Sequence, residues 1–190
     1  MKWSIRNAAE AGVLSLISAG LFVGFFHLNY LFFSFLEHNQ GVNWIFLPAG
    51  FRVLLALGMG LPGCIGIFLG NLFLDFEHLR HGHGVLTGLT AVVSGFTPWL
   101  VMKTMKHYQM LQVHLQNLTH QQLLNFTLIY AAANAVLHQL LWLLIPAHEH
   151  SLWVEIWPMF VGDVMGALIM LYAFKGLLGL FKFRSAGRSL

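Results

Sequence analysis

The chain is predicted to be an all-α, polytopic transmembrane helix bundle of about six spans, a single integral membrane domain over residues 1–190 whose second and third helices are short or broken. Three observations predict it. Hydrophobic residues make up 57% of the sequence and charged residues 9%, with a mean hydropathy of +0.70. That leaves too little charge for the mixed surface a soluble domain needs. The apolar residues fall in six long runs rather than in alternation. The basic residues gather at alternate ends of those runs, as topology signals do.

The first span, Ala11 to Leu36, follows Lys2 and Arg6. It continues too far, and lacks an early small-residue cleavage site, to be a removed signal. The second and third, Trp44 to Gly60 and Pro62 to Leu74, are crowded by Gly50, Gly58, Gly60, Pro62, Gly63, Gly66 and Gly70. The third gives only about 20 Å of helix at 1.5 Å per residue. These two segments are expected to be tilted, broken or partly re-entrant, which a membrane tolerates only where protein or a cavity covers the backbone.

The fourth span is Val85 to Met102, the fifth Leu123 to Ile145 and the sixth Ile156 to Leu180. Between the fourth and fifth, Lys103 to Gln122 reads as an amphipathic loop helix: Tyr108, Leu111, Leu115 and Leu118 recur at three- and four-residue spacing, with Gln109, Gln112, His114 and Gln116 on the other face. It is expected to lie along the membrane or against a partner. Thr119 and Gln122 then form a capping box that opens the fifth span.

Six spans place Lys2, Arg6, Lys103, Lys106, Lys175, Lys182, Arg184 and Arg188 on one side. The positive-inside rule makes that side, with both termini and the 103–122 loop, cytoplasmic. The opposite loops hold Glu37 and His38, then Asp75, Glu77, His78, Arg80, His81 and His83, then His148, Glu149, His150 and Glu155. The outer face is acidic and histidine-rich.

Arg52 and Asp163 are opposite charges inside otherwise apolar runs. A charge at membrane depth costs at least about 2.5 kcal/mol, so it normally faces a bundle interior and has a partner. Counted from the outer helix ends, Arg52 and Asp163 lie about 9 to 12 Å deep, His138 about 12 Å, His27 about 15 Å and Asn71 about 6 Å. Five polar side chains from five spans therefore share the outer half of the bilayer. They either converge on an outward-opening ligand pocket, or Arg52 and Asp163 form a structural latch while the others bond helix to helix.

The outer histidines His78, His81, His83, His148 and His150 are a second constellation. Imidazoles with carboxylates suit a zinc, copper or nickel ion, but the tighter signatures of closed zinc sites and of metalloproteases are missing, and solvated polar loops are the competing reading. The single cysteine, Cys64, excludes an intramolecular disulfide and a cysteine zinc cluster. Nucleic acid is not an expected partner, because the basic residues lie at span ends rather than on one polar face. With no recognisable nucleophile or catalytic motif, the chain is expected not to be an enzyme.

The succession Trp44-Ile-Phe-Leu-Pro48-Ala49-Gly50, Leu57-Gly58, Leu61-Pro62-Gly63 and Leu69-Gly70-Asn71-Leu72, followed much later by Phe160-Val-Gly162-Asp163-Val-Met-Gly166, resembles the membrane-associated sensor domain known as MASE1. The resemblance implies an integral sensory module of the bacterial inner membrane, of the kind found on histidine kinases and diguanylate cyclases; Trp44 opens the matching motif, and the carry-over to individual residues is to Pro48, Gly50, Gly70, Asp163 and Gly166. Members of that family usually carry about eight spans and a cytoplasmic output domain. This chain ends at Leu190 after a short basic tail, so signalling is expected to pass to a protein partner in trans. Length and span count also resemble the substrate-binding subunits of energy-coupling-factor transporters, which gives the second expectation: a solute or metal uptake subunit working with a transporter partner.

Overall fold

The computed structural model describes residues 5–39, 42–81, 84–111, 118–144 and 152–186. Seven α-helices dominate these residues: α1 (Ile5–Phe33), α2 (Leu47–Met59), α3 (Leu61–Leu74), α4 (Phe76–Arg80), α5 (Gly84–His107), α6 (His120–Leu144) and α7 (Leu152–Ala186). Each expected apolar run is one helix. Four helices, α1, α5, α6 and α7, are long and apolar enough to cross a membrane, while α2 and α3 are shorter apolar helices. The sequence did not announce the small antiparallel ribbon after α1, in which β1 (Glu37–Asn39) pairs with β2 (Val42–Asn43).

The helices close into a ring in which α1 packs on α3, α3 on α5, α5 on α6, α6 on α7, and α7 on α2, which returns to α1. Because α2 also touches α3 and α5, it is the most enclosed member, with eight residues buried from Leu47 to Ala56. The outer surface of the bundle is apolar, with Leu16, Leu31, Val85, Leu100 and Tyr172 among the exposed side chains. In the lipid that a membrane supplies, such a surface costs nothing.

A helix that starts inside protein must find acceptors for its first N–H groups, and α2 takes them from its neighbours. Asn29 Oδ1 of α1 accepts from Leu47 N at 2.8 Å, and Gly162 O of α7 accepts from Phe46 N at 3.0 Å. Pro48, at the first turn, has no N–H to satisfy. Two backbone contacts fix this junction. A Cβ at Gly162 would strike Asn43 O, and one at Gly166 would strike Phe46 O, so only glycine lets α7 lie directly on the segment entering α2.

At its other end α2 stops at Gly60, whose φ of 62° is the left-handed region that favours glycine. Pro62 then opens α3. The pairs Phe25 with Phe51 and Asn29 with Leu47 run α1 and α2 antiparallel. Ser15 bonds Pro62 O at 3.0 Å and Ser18 bonds Gly63 O at 2.7 Å, and Gly70 abuts Phe22, so α3 runs parallel to α1. The two short helices are therefore a hairpin, each about 20 Å long, with its apex level with Ser15 and Ser18.

The loop helix expected over Lys103 to Gln122 is corrected in its described part. Residues Lys103 to His107 extend α5, and Tyr108 to Leu111 form a turn in which Gln109 takes a φ of 58°. Leu111 is buried, and it and Leu118 pack on a cluster of Val53, Met102, Met105 and Phe126. Of the stripe expected along the membrane or against a partner, Leu111 and Leu118 instead plug the base of the bundle, while Tyr108 is exposed. Gln112, His114, Leu115 and Gln116 lie outside the described residues. The capping box is present in both directions, Thr119 N to Gln122 Oε1 at 3.1 Å and Gln122 N to Thr119 Oγ1 at 3.2 Å.

Candidate functional site

Arg52 projects from the enclosed helix α2 and brings its guanidinium against Phe22, a member of one buried apolar cluster, and against Phe46 and Tyr130, which belong to or pack on the other. It is 4% exposed. The rings of Phe22 and Phe46 each lie 5.2 Å from its guanidinium carbon, close enough for cation–π attraction. Its hydrogen bonds are long: Nη1 reaches Tyr130 Oη at 3.4 Å and Nη2 reaches Ser94 Oγ at 3.4 Å, against a usual limit of about 3.2 Å. Nε is buried without a hydrogen-bond partner.

The polar path continues across the bundle. Ser94 Oγ lies 3.2 Å from His138 Nε2, and His138 Nδ1 lies 2.9 Å from the Asn134 carbonyl. Because Nδ1 faces an acceptor it carries the proton, so in the neutral ring Nε2 accepts from the Ser94 hydroxyl. Ser94 can then also accept from Arg52. Asn134 Nδ2 in turn donates to Asp163 Oδ2 at 2.6 Å, while Asn134 Oδ1 is buried without a partner. Asp163 is 2% exposed. Four helices thus contribute one buried layer: Arg52 from α2, Ser94 from α5, Tyr130, Asn134 and His138 from α6, and Asp163 from α7.

Local sequence explains several placements. Tyr130, Asn134 and His138 recur every four residues and so share one face of α6. Pro98 stands four residues after Ser94 inside α5 and has no N–H to give the Ser94 carbonyl. Thr97 bonds back to Val93 O at 2.6 Å beside it. Gly50 lets α2 close on α7, where a Cβ would come within 2.5 Å of Met170 Cβ and 2.8 Å of Ala167 Cα.

The expected convergence of five side chains is corrected to three. Arg52, His138 and Asp163 share the layer. Asn71 is buried, but its amide donates to Ile67 O one turn back in α3 at 2.9 Å. His27 points outward from α1 and is exposed. The direct Arg52–Asp163 latch is also corrected: among the described residues no carboxylate oxygen lies within 4.0 Å of the Arg52 guanidinium. Sequence reading missed Ser94, Tyr130, Asn134 and Asn29, and the four-residue stripe on α6 was the available signal for two of them.

Trp44, in the segment that enters α2, is 41% exposed, with its ring 5.8 Å from that of His38. At the same end of the bundle His78, within the short helix α4, and His81, just after it, are exposed. His78 sits 4.0 Å from Asp75 Oδ1, and His81 sits 4.0 Å from Glu77 Oε2. Burial holds the Asp75 carboxyl above the usual carboxylate range, with His78 pulling the other way. Among the described residues no three His, Cys, Asp or Glu side chains gather as a metal site. His83, His148 and His150 lie outside the described residues.

No known protein family matches the chain, and no curated protein or solved structure matches it.

Proposed function

We propose that this chain is a non-enzymatic sensory module of the bacterial inner membrane, with both termini cytoplasmic, that binds a small polar ligand in the layer between α2, α5, α6 and α7 and signals through a partner protein in trans. The observation that carries this reading is Arg52. A structural charge inside a bundle is normally matched by a carboxylate and by good hydrogen bonds. Arg52 has two long hydroxyl contacts and a buried Nε without a partner. A guanidinium left under-bonded in an enclosed layer is complementary to an acceptor brought from outside.

The two stretches that resemble the sensor family support the reading, because they meet. Pro48 and Gly50 stand at the start of α2, and Gly166 packs on Phe46 O at that same junction. Asp163 enters the polar layer one turn before Gly166. A ligand seated between Arg52 and Asp163 would therefore bear on the contact between α2 and α7, and α7 leads to the cytoplasmic tail that a partner would read.

The test is affinity capture of the tagged chain from its native membrane, with and without Arg52→Met. A signalling output protein retained by the wild type, and altered in its association by the variant, is expected. Recovery of a transporter's energising subunits in its place would turn the reading to solute uptake.

A further inference from the structure

Each end of the polar layer holds a buried atom without a hydrogen-bond partner, and the two have opposite character. At one end is a donor, Arg52 Nε, and at the other an acceptor, Asn134 Oδ1. Each stands beside a charge of the matching kind. The Tyr130 hydroxyl, which accepts from Arg52 Nη1, keeps its own proton to donate on the cationic side. On the anionic side Asn134 spends its Nδ2 on Asp163 Oδ2, so its Oδ1 and the carboxylate together present only acceptors. The two charges do not touch, since no carboxylate oxygen lies within 4.0 Å of Arg52 among the described residues.

A simple anion would bond Arg52 and leave Asn134 Oδ1 unmatched beside a carboxylate that repels it. A simple cation would do the reverse. Resting on the ligand-binding reading above, we propose that the site takes a small zwitterion, with a carboxylate on Arg52 and the Tyr130 hydroxyl and an N–H-bearing ammonium on Asp163 and Asn134 Oδ1. Such a ligand brings no net charge into a layer whose own two charges cancel, and it supplies the missing partner at both ends. A planar carboxylate suits the guanidinium fork, which binds it in a bidentate manner.

The test uses the wild-type protein in lipid nanodiscs, with its thermal midpoint measured in millimolar glycine, β-alanine and γ-aminobutyrate, which vary the separation of the charges. The comparison set is acetate, methylammonium, a mixture of the two, and glycine betaine, which has no ammonium N–H. A ligand that binds only the folded state raises the midpoint. At least one of the three zwitterions is expected to raise it by several degrees while the comparison set leaves it unchanged. Tyr130→Phe, which removes one hydroxyl from the carboxylate end, is expected to reduce the shift. An equal rise in acetate alone would overturn the zwitterion and leave an anion site, so the ligand-binding reading would survive. No rise with any compound would overturn the zwitterion proposal, and ligand retention from native membranes judges the broader reading separately. Betaine matching glycine would overturn the role given to Asp163 and Asn134.

Discussion

At the scale of single residues, the informative comparison is between Arg52 and Asn134. Arg52 carries a desolvated Nε, a cost of about 1–3 kcal/mol for an unsatisfied buried donor, offset in part by cation–π contacts with two phenylalanines at about 0.5–2 kcal/mol each. Replacing it by an apolar side chain of similar length removes both effects. We expect Arg52→Met to change folded stability by less than about 1 kcal/mol, measured by denaturant titration in detergent. Asn134 donates to a buried carboxylate, and a hydrogen bond to a charged group contributes about 1.5–3 kcal/mol. Asn134→Leu is therefore expected to cost about 2 kcal/mol. A loss of about 3–5 kcal/mol for Arg52→Met would instead indicate a latch whose partner has been stranded. Arg52 and Asp163 were legible in the sequence because a charge in an apolar run has few harmless explanations. Ser94 was not, because serine is common in such helices and only the tertiary fold shows that it faces inward, while Tyr130 and Asn134 had only their four-residue spacing from His138 as a signal. Asn29 was equally silent, since its partner Leu47 N belongs to another helix.

At the scale of elements, the contact of α7 with the start of α2 and the hairpin of α2 and α3 set the position of Arg52. A Cβ at Gly166 would overlap Phe46 O, whereas one at Gly58 would meet nothing within 4 Å. Gly166→Ala is therefore expected to destabilise by about 1–3 kcal/mol through overpacking. Gly58→Ala is expected to be neutral or stabilising by up to about 1 kcal/mol through helix propensity. Equal effects in the denaturant titration would mean that α7 does not hold α2 through its glycines. Thr119→Ala removes one arm of the capping box at α6 and is expected to cost about 1 kcal/mol. The capping box and all six apolar helices were legible because they rest on local spacing. In the described part of Lys103 to Gln122 the expectation of a surface stripe fails at Leu111 and Leu118, because apolar recurrence does not distinguish a stripe facing lipid from one facing the bundle, and these two face the bundle. The β1–β2 ribbon had no signal in so short a polar stretch.

At the scale of the whole molecule, the antiparallel and parallel pairings of the helices bring the starts of α2 and α7 and the end of α1 to one end of the bundle, and the turn after α5 to the other. Six crossings follow if the α2–α3 hairpin spans the bilayer with its neighbours. Cys64 is buried and so gives no background to a membrane-impermeant thiol reagent. We expect His78→Cys to label in intact cells and Gln109→Cys only after permeabilisation, and labelling of both from one side would refute the crossing pattern. Whether the polar layer receives a ligand is decided by native mass spectrometry of the protein released from its own membrane. A small retained mass is expected on the wild type and is missing from a folded Arg52→Met variant of equal stability. The same retained mass on both proteins, or bare protein in both, would contradict that expectation.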